Sequence, residues 1–154
     1  MELDKLRTDG DTIDLNDGRV LRLRIEVDQN STVEDSPDLY GLVGWSTTDR
    51  DTGHQRRPSN MNGSAEILRR DGHASLWWQA PADITDDKAR RELRALVADL
   101  CDYGFKGVVL ELCEGEDHYG APIVRDSASL WGIDSLEDGY LLTVVGELWG
   151  ELDT

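Results

Sequence analysis

Two turn signals, Asn16-Asp17-Gly18 and Asp71-Gly72, each stand between runs in which apolar and polar residues alternate. Residues that tolerate a left-handed backbone at such points favour tight connections whose twist matches antiparallel strands. At the first signal Ile13 and Leu15 lead in, and Leu21, Leu23, Ile25 and Val27 lead out with Arg22, Arg24 and Glu26 between them. A period of two puts one set on a buried face and the other on a wet one. At the second, residues 65–69 and 73–79 are the arms, and the adjacent Trp77 and Trp78 point to opposite faces. Strands that come in turn-linked pairs favour an antiparallel sheet.

The rest of the chain supplies cover for such a sheet. Ala89, Leu93, Leu96, Val97 and Leu100 recur at helical spacing and predict a helix over 86–103. Thr85 is its expected N-cap, Asp86 and Asp87 suit the positive end of the dipole, and Gly104 can close it. Residues 107–114 read as a central strand, and 122–124 and 128–133 as two short ones. Residues 29–38 read as a loop, 40–45 as a short strand, and 46–63 as a long polar loop. Over 136–152, Leu141, Val144, Val145, Leu148 and Leu152 fit a helix opened by a capping box from Ser135 to Asp138. Gly139, Gly146 and Gly150 oppose it, although they would form one stripe suited to close approach to a sheet; a strand over 140–145 is the rival. The expected architecture is a single α+β domain over 1–154, an antiparallel sheet of hairpin-linked strands covered by about two helices. A chain of 154 residues buries enough surface to fold without a metal or a disulfide. Cys101, late in the helix, and Cys113, well along the next strand, are expected as separate reduced thiols.

Charge narrows the function classes. The chain holds 32 acidic and 16 basic residues for a net −16, made of 21 Asp and 11 Glu against 13 Arg and 3 Lys. Residues 99–154 alone hold 13 acids and two bases, a net −11. Such a balance opposes direct binding to nucleic-acid phosphates and a polybasic membrane anchor. No apolar run could span a bilayer and the N-terminus lacks a signal-peptide core, so a cytoplasmic location is expected. Salt adaptation, GC-rich codon usage and a functional anionic face could each produce the bias. In the functional case the contacts are Glu111, Glu114, Glu116, Asp117, Asp126, Glu137 and Asp138, presented to a protein partner with a basic surface.

Searches for chemistry mostly fail. There is no phosphate-binding glycine loop, dinucleotide fingerprint, H-E-x-x-H, C-x-x-C or G-x-S-x-G. Asp51-Thr52-Gly53 matches an aspartic-protease tripeptide, but Arg50 and His54 flank it in a polar loop, so it reads as a turn. His118, Asp126 and Ser127 show no local pattern of a triad. Glu114, Glu116, Asp117 and His118 could ligate a divalent cation, though not with the spacing of a calcium loop. Among five tryptophans, Trp77 or Trp78 is the candidate exposed anchor for a sugar or aromatic ligand, with Trp45, Trp131 and Trp149 assigned to the core.

The run from Tyr103 to Ile133, YGFKGVVLELCEGEDHYGAPIVRDSASLWGI, with the helix before it and the NDGRVLRLRIEVD hairpin, resembles small acidic proteins of actinobacteria and their phages. That group has no assigned activity, so the resemblance implies a cytoplasmic, phage-encoded origin and transfers no site residue. The resulting expectation is a non-enzymatic protein, needing no cofactor, that acts by macromolecular contact: a phage accessory factor whose anionic face mimics nucleic acid. A metal-dependent binder or hydrolase built on Glu114–His118 is one alternative, and a carbohydrate-binding module using Trp77 or Trp78 is the other.

Overall fold

All strand pairs are antiparallel, as the turn signals require, but the strands form two sheets rather than one. The computed structural model describes residues 2–48, 55–56, 65–137 and 139–152. In chain order the elements are β1 (Thr12–Asp14), β2 (Arg19–Asp28), the one-turn helix α1 (Pro37–Tyr40), β3 (Leu42–Thr48), β4 (Gln55–Arg56), β5 (Glu66–Asp71), β6 (Ala74–Trp78), α2 (Asp87–Tyr103), β7 (Phe105–Glu116), β8 (Pro122–Ile133) and α3 (Tyr140–Glu151). The fold is α+β. The chain divides into two compact units: Met1–Asn30 with Phe105–Thr154, and Ser31–Gly104, which lies between those segments in sequence.

The first unit carries the sheet β1-β2-β7-β8. Asn16 (φ 65°) and Gly18 (φ 85°) make the left-handed turn that the first signal demands, and Leu15 N–H donates to the Arg19 carbonyl at 3.0 Å. Register then sorts the side chains. Leu21 pairs with Leu112, Leu23 with Leu110, and Leu110 with Ala128, so one face is apolar across three strands. Those residues join Val144, Val145, Leu148 and Leu152, from α3 and its end, in a single buried cluster. Arg22 opposite Glu111 and Val20 opposite Cys113 belong to the other face.

Two expectations change here. The two short strands over 122–133 are one strand, β8, because Arg125 is an extra residue between the pairs Cys113–Val124 and Leu112–Asp126. Such a bulge breaks the alternation while pairing continues. Residues 140–151 are helix, but Ser135 does not cap it. Gly139 stands at the N-cap with φ 77°, and the Ser135 hydroxyl accepts the Glu137 N–H at 3.2 Å instead. Nor is there a glycine stripe against the sheet, since a Cβ at Gly146 or Gly150 would meet nothing within 4 Å.

The second unit carries the sheet β4-β3-β6-β5. Its hairpin turns on Gly72 (φ 61°) and His73, one residue later than expected, with Asp71 paired to Ala74. The N-cap of α2 is Asp86 rather than Thr85: its carboxylate accepts the Ala89 N–H at 3.1 Å. Gly104 ends α2, its N–H donating to the Leu100 carbonyl. Within the expected loop over 29–38, Thr32 and Asp35 form a reciprocal capping box around a short 3-10 turn. Of the long loop over 46–63, the described parts are strand; Asp51-Thr52-Gly53 lies outside the described residues.

Candidate binding surface

β7 and β8 turn on Gly115 and Gly120, both at positive φ, which leaves Glu114, Glu116, Asp117 and His118 exposed at the hairpin tip. Their donor atoms have other work. One Asp117 oxygen accepts the N–H groups of Tyr119 and Ala121 at 2.8 and 3.0 Å and so closes the turn. The His118 ring lies against Tyr119 with centroids 4.1 Å apart, and Glu114 faces Arg125 at 3.9 Å. Among the described residues no three His, Cys, Asp or Glu side chains converge as a metal site would require. The tip is an anionic knob.

The other predicted contacts do not continue it as one face. Glu111 is only 8% exposed, and its carboxylate takes both the Nε and an Nη of Arg22 at 2.9 Å. Asp126 pairs with Leu112, whereas Glu111 pairs with Ser127, so Asp126 lies on the opposite side of the sheet from Glu111 and Ser127. That alternation also separates the members of the tested triad. Glu137 is exposed beyond the far end of β8, about 35 Å of strand from the tip at about 3.3 Å per residue. Asp138 lies outside the described residues.

At that far end the structure has a feature the sequence reading placed in the core. Trp131 is 45% exposed. Its ring lies against Gly107 so closely that a Cβ there would stand 2.0 Å from Cε3, and its N–H donates to the Ser129 hydroxyl at 3.0 Å. A glycine inside a strand is the signal for such close approach, and Gly107 carried it. Trp131 shares an open concavity of about 530 Å³ with Asp134, Ser135, Glu137 and Tyr140, the last 43% exposed. A smaller hollow of about 250 Å³ lies by Val20, Arg22, Cys113 and Glu116.

The predicted stacking pair is instead buried. Trp77 and Trp78 are 5% and 0% exposed, and their N–H groups donate to the Ser46 hydroxyl and the Tyr40 carbonyl, both at 2.7 Å. Two neighbours can both be buried when β6 is covered on each side, which local sequence does not reveal. Trp45, assigned to the core, is 44% exposed and donates to Glu34 at 2.9 Å. Both cysteines are free thiols, and burial pushes both above the ordinary thiol range.

No helix among the described residues is long and apolar enough to cross a membrane. No family model, no curated protein and no solved structure matches this chain, so the geometry of β8 and its two ends carries the functional reading by itself.

Proposed function

We propose that the protein is a non-enzymatic binding protein whose partner is another protein, docked as an extended basic segment along β8. One observation carries the reading: β8 is the outermost strand of its sheet, with no strand on its free edge among the described residues, and exposed carboxylates stand at both its ends. An open edge offers unpaired backbone groups to an added strand, and side chains flanking it select the partner. Glu114, Glu116 and Asp117 at one end and Glu137 at the other select a basic segment and repel an acidic one.

A phosphate-like row along the whole terminal segment has less support, because Glu111 is spent on Arg22 and Asp126 faces the other side. The metal-dependent reading has less support, since no three ligands converge among the described residues. The resemblance to acidic phage and actinobacterial proteins is compatible with a binding role and contributes no residue to it.

The test uses a Lys/Thr-alternating peptide of about twelve residues, long enough to follow β8 at about 3.3 Å per residue, and its Glu/Thr counterpart. Binding is read by fluorescence anisotropy, and the site by amide hydrogen exchange. The basic peptide should bind at about 0.01 M salt and protect β8, and be released near 1 M, as the Debye length falls from roughly 30 to 3 Å. No binding at low salt, or protection that leaves β8 unchanged, would remove the proposal.

A further inference from the structure

We infer that the concavity at the Ile133 end of β8 receives one cationic side chain, Lys or Arg, from the docked partner. The inference rests on β8 being the docking edge and names the anchor within it. Two kinds of group line the hollow: the exposed aromatic residues Trp131 and Tyr140, and the exposed Glu137. An apolar ligand would use the rings but strip water from the Glu137 carboxylate without return. A simple anion would meet a like charge. A cation uses both, through the negative face of the ring and through the acid.

The site is also prepared. Trp131 is seated on Gly107 and tied by its N–H to Ser129, which fixes the ring while leaving nearly half of it exposed. A ring already held loses little freedom when a ligand stacks on it. Lys106 pairs with Ile133 in the ladder, but neither it nor any other base lines the hollow among the described residues. The chain makes the same kind of contact internally, where the Arg90 guanidinium stands 5.3 Å from the Trp78 ring centroid. There the cation comes from the chain itself; at Trp131 it would come from the partner.

The experiment follows the indole N–H signals of the full chain by NMR. Acetyl-arginine methylamide and acetyl-lysine methylamide are the cationic probes, with acetyl-citrulline methylamide as the neutral control and a disaccharide as the rival. The Trp131 signal, assigned by Trp131→Phe, should shift with both cations, not with citrulline, while the Trp78 signal stays put. Tyr140→Ala and Glu137→Gln, both at exposed positions, should each weaken the response about fivefold. An equal shift with citrulline, a response to the disaccharide instead, or no movement of Trp131 overturns the inference. If the basic peptide still protects β8 while the amides leave Trp131 unmoved, the docking edge stands and the pocket assignment falls.

Discussion

Trp78 and Trp131 both stand on long-paired antiparallel strands, and their fates are opposite. Trp78 is wholly buried and its N–H reaches the Tyr40 carbonyl, 38 residues away in sequence. Trp131 is 45% exposed and its N–H reaches only Ser129, two residues back. Strand order alone does not set the difference, since Trp45 on the inner strand β3 is also 44% exposed. Cover does: the Arg90 guanidinium of α2 stands 5.3 Å from the Trp78 ring centroid, whereas Trp131 packs on Gly107 and keeps nearly half its surface open. A covered ring contributes to stability, and an open one is available for recognition.

The largest expected effect would break that comparison if it failed. Trp78→Ala should cost about 3–5 kcal/mol, as for other buried large-to-small changes, while Trp131→Ala should cost about 1 kcal/mol or less. Urea unfolding followed by circular dichroism measures both. Similar losses at the two positions would mean that Trp131 is a structural residue and that its exposure carries no functional meaning.

Two ion pairs sharpen the comparison at the next size. Arg22–Glu111 in the first unit is mostly buried, with side chains 23% and 11% exposed, whereas Arg94–Glu66 in the second stands at 39% and 38%. Glu111→Gln leaves a guanidinium short of its counter-charge in a partly dry site and should cost about 1–3 kcal/mol, below the value for full burial because Arg22 keeps some water. Glu66→Gln should cost less than about 1 kcal/mol. Arg22→Met combined with Glu111→Leu should recover most of the first loss, since apolar replacement of a buried pair is often neutral. If the double variant is as unstable as Glu111→Gln, the loss does not come from an unpaired Arg22, and the pair itself contributes net stability to that part of the sheet.

These residues also mark how far local pattern reaches. The alternation in β2 was legible because Leu21 and Leu23 face one continuous core, so period two survives folding intact. The exposed tip was legible because Gly115 and Gly120 announce a turn among acids. Glu111 was not, because the cation that buries it lies 89 residues away, and nothing near Glu111 points to Arg22. The two sheets were hidden for a related reason. Hairpins state which neighbours pair, but the assignment of β6 to β3, and of β2 to β7, is made by long-range packing. Trp131 sits between these cases: its seat at Gly107 left a mark in the strand, but only the register across two strands shows which residue uses it.

The smallest effect compares the thiols, one in each unit. Cys113 is 3% exposed and Cys101 is half-buried, and desolvation raises both above the ordinary thiol value of 9.0. Between the ordinary value and the raised one, the folded chain holds a proton that the unfolded chain has lost, so stability falls as pH rises through that window. It is fully present below about 9 and declines above it. Cys101→Ala and Cys113→Ala should each flatten part of this alkaline decline in urea-unfolding curves. Below that window, where only reach matters, a thiol-specific reagent at mildly alkaline pH should label Cys101 well before Cys113, because the thiolate must be exposed to attack. Equal labelling rates would show that the Glu111–Cys113 face of the first sheet opens as easily as the end of α2, and a sheet that opens there could not hold β8 rigid enough to dock a strand.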